Sequence, residues 1–336
     1  MKLGSTAKEL LGAIGVVAIA VAALSIALGS PRRLVEELAS VDPWALLASI
    51  ALLMLVEVAK AARLCVLADK GLGSMRACLL ARLLGRAAAS VTPAGLGGIP
   101  TRTAVLASEA RIEFGRAFGA AAGETLADNS VALLALFAGA ALGVMNLVVL
   151  AVAALIAFLW VTGIVVGVHE RTITALYRRF HITGTLRCSL ERERRAALQA
   201  LGILLKPRRA ALVYAYTLAA HVLEYASVLV FTGTWGDPRL WLHSILAVEA
   251  GYLMIFTPAP GGGGGVEYAL VSYLGPRLAL YWRISYLIAA LTPLALAYIV
   301  YPGFKEYLGN YRAASTCDDM ERPEPSRAGA SQASAY

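Results

Sequence analysis

Charge is what this chain of 336 residues has least of: charged side chains make up 15%, against 59% apolar, and mean hydropathy is +0.68. That balance excludes soluble globular and disordered classes, and places the chain in a membrane. Cysteine is scarce as well. Cys65, Cys78, Cys188 and Cys317 show no metal or redox spacing and imply no disulfide framework. The four histidines are scattered, with no His-Glu-x-x-His, so neither a metal nor a cofactor is expected. No Gly-x-x-x-x-Gly-Lys-Ser/Thr occurs, and the run Gly261 to Gly265 is not followed by lysine, so ATP hydrolysis is not expected. A pI near 9.4 raises nucleic acid as a partner. The basic residues lie between hydrophobic runs, however, where membrane orientation accounts for them and nucleic acid does not.

What is present is a series of apolar runs. Leu11 to Gly29 carries no charge and is long enough to cross a hydrocarbon core of about 30 Å. Lys2 and Lys8 precede it as in a signal peptide, but the run exceeds the usual h-region of about 7 to 15 residues. Trp44 to Ala68, Gly115 to Gly143, Asn146 to Val168, Ala211 to Gly233 and Ala279 to Tyr301 read as further full spans. The polar intervals divide the chain into 1–43, a first repeat over 44–168, a basic segment 169–210, a second repeat over 211–305, and a Ser/Ala/Pro-rich tail 306–336 expected to be disordered. The basic segment reads either as an amphipathic helix on head groups, through Ile173, Leu176, Tyr177 and Phe180, or as a solvated linker.

Two apolar stretches are interrupted. Ala77 to Val91 is too short to span and meets Thr92-Pro93-Ala94-Gly95-Leu96-Gly97-Gly98-Ile99-Pro100-Thr101-Arg102 before Thr101 to Ala110. Trp241 to Phe256 meets Thr257-Pro258-Ala259-Pro260 and five glycines before Val266 to Leu274, with Glu267 near its start. Both loops open Thr-Pro-Ala, carry Gly-Gly at one offset (Gly97-Gly98, Gly262-Gly263) and reach a charge ten residues after the threonine, Arg102 or Glu267. Matched Pro/Gly interruptions in two halves are a signature of transporters built from repeats with broken helices. If the first pair is re-entrant, Lys2, Lys8, Lys70, Arg76, Arg111 and Arg116 lie inside and Arg32 and Arg33 outside; if it crosses, the charges divide evenly. The positive-inside rule favours re-entrance. The expectation is an all-α polytopic membrane protein with about six full spans plus two re-entrant pairs in inverted repeats, in the cell membrane with both termini cytoplasmic.

The charges inside these runs are the candidate site. Glu57, Lys60 and Arg63 recur every three residues, with Glu57 and Lys60 on one face; Arg82 and Arg86 are a turn apart; Glu124 and Asp128 share a face, as do Tyr214, Thr217, His221 and Glu224. Glu249, Glu267 and Arg283 complete the set. Each costs about 2.5 to 3.5 kcal/mol at a helix centre on insertion scales, so each needs a partner or a function. Arginine in a dry site is either half of a salt bridge or a bidentate phosphate holder. Arg102 opens a half-helix, the wrong end for a cation, so something negative is expected against it: Glu267, or a lipid phosphate.

These residues resemble a known family, the membrane domain of lysyl-phosphatidylglycerol synthase/flippase proteins and its stand-alone relatives. The resemblance runs over roughly 44 to 300 and rests on Pro93…Gly97-Gly98…Arg102, Glu124…Asp128, Pro258-x-Pro260-Gly261-Gly262…Glu267 and Tyr281-x-Arg283…Tyr286. It departs from many relatives at Thr125, where they have arginine, at Ser90, where they have asparagine, and near Ile99, where they have an acid. The resemblance implies lipid translocation without the synthase chemistry, whose soluble domain has no counterpart in these residues. The expected function is movement of an anionic lipid, a phospholipid or a polyprenyl- or dolichyl-phosphate sugar, through a charged cavity. Arg82, Arg86, Pro93, Gly97, Gly98, Arg102, Glu124, Asp128, Glu249, Pro258, Pro260, Gly261, Gly262, Glu267 and Arg283 would line it. A second copy of the chain or a lipid-modifying enzyme stands as a further partner. The alternatives are an intramembrane enzyme on a lipid phosphate, with Glu124 and Asp128 holding a metal, and an ion channel whose glycine-rich loops form a filter.

Overall fold

The computed structural model describes residues 22, 29–70, 72–179, 184–257, 259 and 261–300. Most of the expected first span, Pro258, Pro260, Phe180, the side chains of Leu176 and Tyr177, and the 306–336 tail lie outside the described residues. Those described form helices and turns, with no strand.

Several helices begin on the same local device. Ser30 caps α1 (Pro31–Ala39), Asp42 caps α2 (Pro43–Leu67) and Asp237 caps the helix opening at Pro238; each side-chain oxygen accepts a backbone N–H, and proline supplies the first helical position. The cap satisfies a free amide, and proline has none to satisfy. After a 3₁₀ turn (Leu72–Ser74) come α3 (Met75–Val91), α4 (Gly98–Glu109), α5 (Phe114–Ala141), α6 (Leu147–Val168), α7 (Glu170–Arg179) and α8 (Gly184–Leu201). A second 3₁₀ turn (Gly202–Leu205) leads to α9 (Pro207–Leu229), α10 (Pro238–Met254) and α11 (Gly265–Val300). Gly275, at φ 75° before Pro276, breaks α11 into arms 265–274 and 276–300.

Among the described residues two helices, α2 and α9, are long and apolar enough to cross a membrane, and they pack along one another. Large apolar side chains stay on the outside, among them Trp44, Leu55, Leu134, Phe137, Leu155, Phe158, Leu218 and Val222. Such a surface is stable against lipid and unstable against water. This is an all-helical membrane protein.

The interior has two apolar cores. One gathers Leu53, Leu136, Tyr225, Val228, Leu253, Leu270 and Trp282; the other gathers Leu64, Leu84, Leu106, Ala120 and Val213. Three helices run through both and change character between them. On α2, Glu57 and Lys60 separate Leu53 from Leu64; on α5, Glu124 and Asp128 separate Ala120 from Leu136; on α9, Thr217, His221 and Glu224 separate Val213 from Val228. The polar residues therefore form one layer sandwiched between two apolar ones.

α8 runs against α5, where a Cβ at Gly115 or Gly119 would overlap the backbone of Glu193 or Ala197. Small residues at such a crossing bring two helices within backbone contact. The cysteine expectation needs correction: Cys65 on α2 and Cys78 on α3 are joined by a disulfide, their Cα atoms 5.8 Å apart. The turn between α2 and α3 brings the two positions together, a tertiary effect that their spacing of 13 does not encode.

Candidate functional site, a buried charge layer

Glu124 is the hub. It is fully buried and faces three guanidiniums: Arg63 Nη2 at 2.9 Å, Arg82 Nη1 at 3.1 Å and Arg102 Nη1 at 2.6 Å. Arg63 also holds both oxygens of Asp128, at 2.5 and 3.0 Å, and donates to Thr217 Oγ1. Glu57 takes Arg82 and Arg86, each at 3.0 Å, and so pairs across helices instead of with Lys60. Lys60 reaches Glu224 at 3.5 Å and Asp128 at 4.0 Å, and donates to the Tyr252 hydroxyl. Among the described residues, six lysines and arginines (Lys60, Arg63, Arg82, Arg86, Arg102, Arg283) and six carboxylates (Glu57, Glu124, Asp128, Glu224, Glu249, Glu267) are buried. Removing one partner from such a pair typically costs about 3 to 5 kcal/mol, because the other charge stays in a dry site.

Arg102 lies across Gly85 of α3, where a Cβ would overlap its side chain, and its Nε donates to Gly98 O at 3.2 Å. The expectation that Glu267 faces Arg102 is wrong. Glu267 binds Arg283 Nε at 2.7 Å and accepts from Gly264 N at 2.7 Å, capping the helix it begins. Arg283 belongs to the far arm of the same kinked helix, so Glu267 finds its cation locally.

The two Pro/Gly loops touch. Gly261 N donates to Thr92 O at 3.1 Å and Ala94 N to Ala259 O at 3.4 Å. Gly262, at φ 70°, sits so close to Ile255 that a Cβ there would approach its Cα to 2.5 Å. That glycine lets the second loop fold back tightly against the end of α10.

Beside this contact is a cavity of about 150 Å³. Of the residues expected from the sequence to line such a cavity, Arg82, Arg86, Arg102 and Asp128 do; Glu124 stands behind it, paired to the lining arginines. Pro93, Gly97, Gly98, Gly262, Glu249 and Glu267 do not line it. Arg283 and Gly261 border a smaller neighbour of about 30 Å³, and both spaces share Glu224, Tyr252, Ile255 and Tyr286. The least satisfied cation is Arg86: one nitrogen binds Glu57, the guanidinium stacks 4.3 Å from the Tyr286 ring centre, and Nε and Nη2 are buried with no hydrogen-bond partner.

A model of one protein family, described as the lysylphosphatidylglycerol synthase TM region, matches residues 13–279. The chain belongs to this family. The match takes in both Pro/Gly loops and Glu267, and ends before the Tyr281-x-Arg283 motif, so Arg283 rests on geometry alone. Comparison with curated proteins and with solved structures gives no match. Family members of this kind are lipid-related membrane proteins, and a buried charge layer beside a cavity is the feature that membership adds to here.

The residues expected to line the cavity omit several of the layer's members, which the sequence marks only as polar groups within apolar runs. Glu57, Lys60, Arg63, His221 and Glu224 all belong to it, and their three- and four-residue spacing was the available signal. Tyr225 and Tyr252, which hydrogen-bond Glu249 and Glu224, carry no charge and gave none.

Proposed function

We propose that the chain moves an anionic lipid head group across the membrane, held in the charged cavity without hydrolysis of ATP. The observation that carries this reading is Arg86, a buried guanidinium at the cavity wall with two unused donors. A phosphate oxygen is the partner such a fork fits best, because guanidinium and phosphate match in planarity and charge. Lys60, Arg82 and Arg102 add positive potential, and family membership supplies the lipid context. In this reading the two Pro/Gly pairs are re-entrant halves of an inverted repeat within about six spans, both termini are cytoplasmic, and the substrate is a phospholipid or a polyprenyl-phosphate sugar. The contact between the loops supports it, since a transporter's site lies where its broken helices meet.

The test is reconstitution into vesicles carrying fluorescent phosphatidylglycerol in one leaflet, followed by quenching from outside. Arg86→Ala should slow movement about tenfold to a hundredfold, the equivalent of one charged hydrogen-bonding group. Glu57 keeps Arg82 in that variant, so the fold should survive. Movement at the unmodified rate would remove Arg86 from the site and the phosphate reading with it.

A further inference from the structure

Five of the six buried carboxylates have a lysine or arginine nitrogen within 4.0 Å, and Glu249 has none among the described residues. Its Oε1 takes His221 Nδ1 at 2.6 Å and the Tyr225 hydroxyl, while its Oε2 is buried with no partner. His221 is 1% exposed, and its Nε2 is also without a hydrogen bond, facing Asp128 Oδ1 at 3.4 Å. Asp128 lines the cavity; Glu249 does not. A chain of titratable groups therefore leads from the cavity through Asp128 and His221 to Glu249, and lipid transport as proposed above makes no use of its far end.

The groups that face this pair come from four helices. α2 brings Lys60 and Arg63, α5 brings Asp128, α9 brings Glu224 and Tyr225, and α10 brings Tyr252, whose ring centre is 5.4 Å from that of His221. Arg63 is committed to Glu124 and Asp128, and Lys60 to Glu224 and Asp128. Neither is left to neutralise Glu249.

Electroneutrality then decides what happens on binding. With His221 neutral, the layer's six cations and six carboxylates balance. A singly charged head group in the cavity adds one negative charge to a dry site, where net charge is unfavourable. The five cation-held carboxylates are poor places for a compensating proton, because protonating one would strand its arginine or lysine. The His221–Glu249 pair has a free acceptor and no such cation.

Resting on the transport reading, we propose that His221 and Glu249 form a proton site coupled to the lipid site. One proton enters from the cavity past Asp128, binds Nε2 of His221, whose Nδ1 proton is already donated to Glu249, and leaves when the head group leaves. No bond other than those to the proton forms or breaks. Transport is then symport of one proton with each monoanionic lipid, and an imposed pH gradient can drive it.

The experiment uses the full chain in phosphatidylcholine vesicles with tagged phosphatidylglycerol in one leaflet and pyranine trapped in the lumen. Lipid moving down its gradient should carry protons in the same direction at a ratio near one, and an imposed pH gradient should raise the lipid rate several-fold. Glu249→Gln should bring the ratio of rates with and without the gradient to one. A second measurement needs no transport: purified protein in weak buffer should take up about one proton on binding short-chain phosphatidylglycerol, and Glu249→Gln none. Lipid movement with no accompanying proton in the unmodified protein overturns the coupling and leaves the transport reading standing. No movement of phosphatidylglycerol, nor of a tagged polyprenyl-phosphate sugar put in its place, overturns both. Proton uptake undiminished in Glu249→Gln moves the coupling away from this pair and also overturns the proposal.

Discussion

The two Pro/Gly loops begin with the same three residues and end in opposite charges, and the protein treats those charges differently. Arg102 follows its loop and reaches sideways to Glu124 on α5, joining a network that spans four helices. Glu267, at the same offset, turns back on its own helix, capping Gly264 and binding Arg283 beyond the Gly275 break. The first loop therefore delivers a charge to the shared cavity, and the second closes on itself and serves as a wall for the first. A helix N-terminus welcomes an acid and resists a base, so Glu267 is satisfied where it stands while Arg102 must be held from elsewhere.

The sharpest way to break the comparison is to neutralise the two anchoring acids. Glu124→Gln leaves three buried guanidiniums short of a partner, whereas Glu267→Gln leaves one. The first should cost at least the upper end of about 3 to 5 kcal/mol, and the second the lower end. Unfolding in mixed micelles, followed by circular dichroism against denaturant, measures both. Equal losses would mean that the layer does not act as a network.

The glycines give a smaller contrast. Gly97 and Gly262 occupy the same offset, yet Gly97 has φ −70° and Gly262 has φ 70°. Alanine at Gly97 meets the Thr92 side chain at 2.8 Å and the Ala88 carbonyl oxygen at 3.1 Å, without a change of backbone region. Alanine at Gly262 meets backbone and must also adopt the left-handed region, which adds about 1 to 2 kcal/mol. Gly262→Ala should therefore lower stability more than Gly97→Ala by roughly that amount.

Much of this was legible because the signals are local. Pro93, Gly97 and the glycines from Gly261 on mark chain breaks by their own backbone limits, and the breaks fall there. Buried charge was legible for the same reason, since a lone arginine such as Arg82 within an apolar run has to be met. Its partners were not legible. Glu57 and Lys60 sit at a spacing that favours pairing with each other, but helices α3, α5 and α9 offer each a better partner across the layer. The Cys65–Cys78 bond and the Arg102–Glu124 pair likewise depend on which helices become neighbours. That is decided by packing along the whole chain, and no short window of residues contains it.

The finest test lies at the threonines that open the loops. Thr92 Oγ1 donates to Ala88 O and accepts from Gly97 N, both at 2.8 Å, so it ties the end of α3 to the start of α4. Thr257 Oγ1 donates to Met254 O at 2.9 Å, an oxygen that also accepts from Thr257 N. Valine keeps the shape of threonine and removes only the hydroxyl. At Thr92 it strips Gly97 N of this acceptor in a half-buried loop, a loss of about 1 to 2 kcal/mol. At Thr257 the carbonyl keeps its backbone donor, and the loss should stay below about 0.5 kcal/mol. Thr92→Ser should restore most of what Thr92→Val loses, because the hydroxyl returns. If Thr257→Val proves as costly as Thr92→Val, the two loops are held by the same device after all, and the asymmetry between them begins only at the charges.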